Sequence, residues 1–264
     1  MERFSIVTDT KAMHDLLLSK IFAEAGSEAA VDIDGNSVVF TSRDGGGREK
    51  LVDAVSKTIV EQYEDKLISK LINRNYFYFN LPDKKIIFKK ALRYADQKDA
   101  FSALVGARLR EYLETADKVV IDGFVKFRLK DYRRELEEII DKAVDDFMAD
   151  KEYRDFVRLL KYFVEIQTPK YDLINIVPKN GEYYVYDDTG KDVTATCLTE
   201  FTREGGGESA ASDDVLISAL ISLAPRRVFL HKPGEMKNAE LLTTIHQVFE
   251  KKITTCDGCE LCDR

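Results

Sequence analysis

No apolar run in this sequence is long enough to cross a bilayer. The longest charge-free apolar stretch, Val215 to Pro225, is about half of the roughly 20 residues a spanning helix needs. The opening Met1-Glu2-Arg3-Phe4-Ser5 has neither the apolar core nor the small-residue cleavage site of an export signal. These two features predict a cytoplasmic protein with no membrane span. Proline and glycine are sparse, five and fourteen among 264 residues, which excludes a collagen-like or low-complexity chain. Positive charge is not in excess: 40 Lys+Arg face 47 Asp+Glu, a net of −7, so the molecule as a whole is no polyanion binder. No Ser-His-Asp or Cys-His constellation is legible. Gly45-Gly46-Gly47 precedes a helical pattern but lacks the Lys-Ser/Thr ending of a phosphate loop, so it reads as a plain loop, as does Gly205-Gly206-Gly207. What remains, 44% hydrophobic and 33% charged residues, is the balance of a globular chain with a sizeable core.

Cysteine is scarce and unevenly placed. Of four, Cys197 stands alone and Cys256, Cys259 and Cys262 fall within the last nine residues. Without an export signal, a disulfide framework is a poor explanation, and metal or redox chemistry is favoured. Two intervening residues let the chain curl so that neighbouring thiolates converge on one cation, with Gly258 expected to permit the tight backbone. A closed tetrahedral site needs a fourth ligand, and the candidates are Cys197, His231, His246 or a group from a second chain. Zinc and an iron–sulfur cluster both suit the spacing, the latter matching the opening of a ferredoxin pattern without its fourth cysteine. His14, on an amphipathic helix, reads as structural, and Asp187-Asp188 before Thr189-Gly190 reads as turn chemistry.

Hydropathy patterning predicts an α+β fold. A strand at Phe4–Val7 is followed by a helix carrying Met13, Leu17 and Ile21, a hairpin around Asp34-Gly35-Asn36, and helices over about 48–72, 84–95 and 100–113. Val119-Val120-Ile121 and Phe124-Val125-Lys126-Phe127 are expected as strand or irregular structure around Gly123. A long helix over 130–166 should break or bend at Asp150-Lys151-Glu152. Beyond it come a hairpin at Asn180-Gly181, a third run from Val193 to Phe201, an apolar helix closed by Pro225, a buried strand at Arg227–His231 and an amphipathic helix over 240–252. The organisation expected is an N-terminal mixed α/β region (1–125), a long helical connector (126–167), and a C-terminal domain (168–264). In that domain an antiparallel sheet is covered by helices on one face and ends in the cysteine tail.

Charge is segregated along the chain. From Leu81 to Arg134 there are 14 basic and 8 acidic residues, 14 − 8 = +6; from Glu135 to Asp155 there are 3 and 9, 3 − 9 = −6. The basic stretch could meet nucleic acid or an anionic membrane, but pairing with the acidic stretch is the plainer reading.

Several stretches together carry a resemblance. They are Phe127-Arg128-Leu129-Lys130-Asp131-Tyr132, Asp155 to Val164, the strands around Asn180-Gly181, Leu216 to Arg227, and the terminal cysteines. In overall pattern the chain resembles the YtxC-like family, sporulation proteins of endospore-forming Firmicutes. The resemblance implies association with sporulation and no reaction. The expected protein is therefore a cytoplasmic, non-enzymatic one whose tail holds a metal that pins it or docks a protein partner. An iron–sulfur redox protein or enzyme, and a nucleic-acid-binding module using the basic 84–134 segment, are the alternatives.

Overall fold

The computed structural model describes residues 2–25, 29–42, 46–196 and 213–263. The fold is α+β, as the patterning predicts, and its contacts divide the chain into two compact units, Met1–Ala149 and Asp150–Arg264.

In the first unit β1 (Glu2–Val7) leads to α1 (Lys11–Ala25) and then to the hairpin of β2 (Ala29–Asp34) and β3 (Ser37–Ser42). Asp34 pairs with Ser37, so the loop has two residues, and Gly35 takes a φ of 59° that a side chain would resist. The long helix α2 (Gly47–Asn75) is followed by α3 (Leu81–Tyr94) and α4 (Lys98–Leu113). Gly46 caps α2; Gly45 and Gly205–Gly207 lie outside the described residues. Next come β4 (Lys118–Val120), parallel to β1, and α5 (Ile121–Phe127). The sheet order is β2-β3-β1-β4. The strand or irregular run expected at 124–127 is thus helical. Ile121, Phe124 and Val125 are buried at i, i+3 and i+4, a helix stripe that four residues of context are too short to distinguish from a strand.

Helix α6 (Lys130–Ile166) serves both cores. Tyr132, Leu136, Ile140, Ala143 and Phe147 are buried in the first, and Val157, Leu160 and Val164 in the second. It is unbroken through Asp150-Lys151-Glu152, contrary to the sequence expectation. Those residues are exposed or half-buried, and Lys and Glu are good helix formers, so polarity there costs the helix nothing.

The second unit is built on β5 (Leu173–Lys179), β6 (Glu182–Tyr186), β7 (Arg227–His231) and β8 (Ile253–Cys256), in the order β6-β5-β7-β8. Asn180 and Gly181 form the two-residue turn, both at positive φ (55° and 85°), as an Asn-Gly hairpin demands. The sheet is mixed, which corrects the antiparallel expectation: only β5–β6 is antiparallel, while β5–β7 and β7–β8 are parallel. Strand β7 is reached through α7 (Asp213–Leu223), and β8 through α8 (Ala239–Phe249); a helical crossover returns the chain in the same direction. Of the third run expected from Val193 to Phe201, the described part, 193–196, is not a strand. Tyr186 and Asp192 share one isolated bridge, residues 194–196 are already helical, and 197–201 lie outside the described residues.

Strand alternation sorts this sheet into two faces. Ile174, Ile176, Tyr183, Val185, Val228 and Leu230 share one core with α7, α8 and the end of α6, so among the described residues these helices cover a single face, as expected. Asn175, Phe229, His231 and Cys256 lie on the other face.

Candidate metal centre

The register of two parallel strands begins the site. His231 closes β7 and Cys256 closes β8, and they are direct neighbours in the ladder. Adjacent strands are about 4.8 Å apart, so their side chains emerge side by side on the same face. Lys232, in the left-handed conformation (φ 41°), turns the chain away, while its N–H continues the ladder to the Cys256 carbonyl at 2.7 Å. Beyond Cys256 the chain turns at Asp257-Gly258 and closes into a short 3-10 turn, Glu260–Asp263, in which the Cys262 N–H donates to the Cys259 carbonyl at 2.9 Å. That turn brings both remaining thiols back over His231.

The ligand atoms of His231, Cys256, Cys259 and Cys262 all lie within 4.8 Å of one another. Cys259 Sγ is 3.7 Å from Cys262 Sγ, and each is 3.4 Å from His231 Nδ1. A tetrahedral ion with metal–sulfur bonds of about 2.3 Å and metal–nitrogen bonds of about 2.0–2.1 Å needs sulfur–sulfur separations near 3.8 Å and sulfur–nitrogen separations near 3.6 Å. The donor set therefore fits one tetrahedral ion. A four-iron cubane requires its outer ligands on separate irons, which spreads them well beyond donors that share one atom.

The histidine is held in the state a ligand requires. Asn175 Nδ2 donates to the Asp187 carbonyl at 3.0 Å, which aims its Oδ1 at His231 Nε2, 3.1 Å away. An amide oxygen only accepts, so Nε2 carries the proton and the lone pair sits on Nδ1, facing the sulfurs. Burial acts in the same direction: the ring is 3% exposed, and loss of solvent lowers its pKa below the ordinary value, keeping it neutral. At Cys259, burial pushes the thiol up, but hydrogen bonds from the Cys262 amide and thiol, the Leu261 amide and the Cys256 thiol outweigh it, so the net shift is downward. Burial, together with its coupling to Cys259 and Cys256, pushes Cys262 up to about 11. Cys259 therefore gives up its proton more readily than Cys262, and ligation of a cation would release the protons of the thiols that bind it.

Of the residues singled out in sequence, Cys256, Cys259, Cys262 and His231 converge. His246 does not join them. It is half-buried on α8, whose Leu241, Ile245, Val248 and Phe249 pack on the opposite face of the sheet. Cys197 lies outside the described residues. Gly258 is not needed for a tight backbone, since its φ is not positive and a Cβ there would meet nothing within 4 Å. Asp187 performs turn chemistry as expected, its Oδ1 accepting from the Thr189 N–H (2.9 Å) and hydroxyl (2.7 Å) and from the Lys191 N–H (3.0 Å). His14 is occupied by a local contact, Nδ1 lying 3.3 Å from the Thr8 hydroxyl. The residue missed by sequence reasoning is Asn175. Its signal was a lone polar side chain inside Leu173-Ile174-Asn175-Ile176-Val177, where burial demands a partner.

Among known proteins, the model of the YtxC-like family matches residues 49–254. The chain is also similar to the uncharacterized protein YtxC of Bacillus subtilis (strain 168), 23% identical over 212 residues, covering 75% of this chain and 73% of that protein. No solved structure matches. The matched family region includes His231 and ends at Thr254, short of the cysteine tail.

Proposed function

The chain belongs to the YtxC-like family, and we propose that its second unit carries a structural zinc site made by His231, Cys256, Cys259 and Cys262. The convergence of Nδ1 and the three sulfurs within 4.8 Å carries this reading. Three thiolates and one imidazole fill a tetrahedron and leave no position for substrate, which is the signature of a closed, structural centre. Zinc, when bound, would draw the protons from the thiols and fasten the tail to the end of β7. Asn175 would hold the imidazole ring, and the Leu261 and Cys262 amides would stabilise the Cys259 thiolate. The role of the site is therefore structural: a tail fixed in one shape for a protein partner to read. We propose further that the protein is cytoplasmic and associated with sporulation, a reading that the sequence resemblance supports; heat-resistant spore counts of a deletion strain test it.

Metal analysis of anaerobically prepared protein tests the site. One zinc per chain is expected for the parent and a large loss for Cys259→Ser or His231→Ala. Near-zero metal in all three ends the proposal. A visible absorption band that bleaches with reductant would replace zinc with an iron–sulfur cluster.

A further inference from the structure

The basic stretch of the first unit has a structure of its own. From Lys70 to Arg93 there are seven basic residues (Lys70, Arg74, Lys84, Lys85, Lys89, Lys90 and Arg93) and one acidic residue, Asp83; 7 − 1 = +6 within a chain of net −7. Within this stretch Arg74 pairs with Glu137; farther along the chain Arg108 pairs with Glu111 and Asp131, and Arg110 with Glu49.

The loop between α2 and α3, Tyr76-Phe77-Tyr78-Phe79-Asn80, is anchored at two positions and open between them. The Tyr76 hydroxyl donates to Asp141, and the Phe79 ring meets Phe147 edge to face at 5.5 Å. Asn80 caps α3 by accepting from the Asp83 N–H, and Pro82 stiffens its first turn. Phe77 and Tyr78 are turned outward, 75% and 65% exposed, and Leu81 is 74% exposed. Beside them, α2 and α3 enclose a cleft of about 540 Å³ walled by Ile72, Leu81, Phe88 and Leu92, with Lys84, Lys85 and Lys89 at its rim.

We infer that this tip and cleft form a docking surface for an anionic lipid bilayer. Aromatic and leucine side chains gain by entering the headgroup–acyl boundary, while lysines meet anionic headgroups with their alkyl stems lying along the apolar wall. Nucleic acid would use the lysines and could stack on Phe77 and Tyr78, but the aliphatic walls at Ile72, Leu81 and Leu92 would offer it nothing. Contact is at the surface only, since no described helix is long and apolar enough to cross a membrane.

Flotation of the full chain with vesicles tests this. Binding is expected to vesicles containing phosphatidylglycerol, not to pure phosphatidylcholine, and to weaken as salt rises. Each of Lys85→Ala and Lys89→Ala should weaken it about fivefold, and Phe77→Ser with Leu81→Ser should abolish it with circular dichroism unchanged. The chain has no tryptophan, so Phe77→Trp gives a single reporter whose emission should shift to the blue on anionic vesicles. Equal binding to both vesicle types, no binding to either, or an unshifted tryptophan overturns the inference. So does oligonucleotide binding that survives the Phe77/Leu81 pair while vesicles fail to bind.

Discussion

A single amide decides whether His231 can serve as a ligand. Asn175 sets the tautomer through one hydrogen bond and is itself set by the Asp187 carbonyl. Asn175→Leu should fill the space but release the ring, weakening zinc affinity between about 10- and 100-fold in competition with a chelator; unchanged affinity would show the ring is held by packing alone. Glu64, 7% exposed on α2 with Oε2 unpartnered among the described residues, behaves differently. Burial raises its pKa, only partly offset by Lys98. A raised carboxyl pKa means that the folded state holds its proton longer than the unfolded chain. Stability is therefore fullest below the ordinary carboxyl value and falls as pH rises through the raised one. Glu64→Gln should accordingly raise Tm at neutral pH and leave it unchanged near pH 4. A thermal melt at both pH values checks the sign.

Elements in the second unit meet at shared polar junctions. Asn238 caps α8, its Oδ1 accepting from the Glu240 and Leu241 N–H groups at 2.9 and 3.2 Å. Its Nδ2 donates to Asp213 Oδ2 at 2.7 Å, and the other oxygen of Asp213 accepts from the Tyr183 hydroxyl at 2.8 Å. One carboxylate at the start of α7 therefore ties β6 to the cap of α8. Asn238→Ala should cost about 1–2 kcal/mol by denaturant titration. Asn238→Asp should not rescue it, because a second carboxylate would face Asp213. Equal stability for the Asp variant and the parent would mean that only the cap matters. Much at this scale was legible in sequence: both hairpins, the helices of the first unit other than α5 and the closure of α7 at Pro225 all follow from period and turn chemistry. What was not legible was the direction of β7 and β8. Strand periodicity is the same for parallel and antiparallel neighbours, so only the crossover settles it.

At the scale of the whole molecule, the site belongs to one of two units, so metal should act on one of two transitions. A site filled about a thousandfold above its Kd stabilises the state that binds by about 4 kcal/mol. Chelation should therefore lower the melting of the 150–264 unit by on the order of 15 °C, leaving that of 1–149 in place. A calorimetric scan insensitive to chelator would show that the thiols are not holding a metal. The local sequence determined that three thiols would be close, because Cys-x-x-Cys-x-x-Cys is a matter of chain geometry within seven residues. It could not choose the fourth donor among Cys197, His231 and His246. The choice of His231 over His246 rests on the parallel register that sets His231 beside Cys256, on the sheet face to which each is turned, and on the helix that carries His246 to the other side. Those relations link residues far apart in the chain, and only packing of the sheet against its helices brings them about.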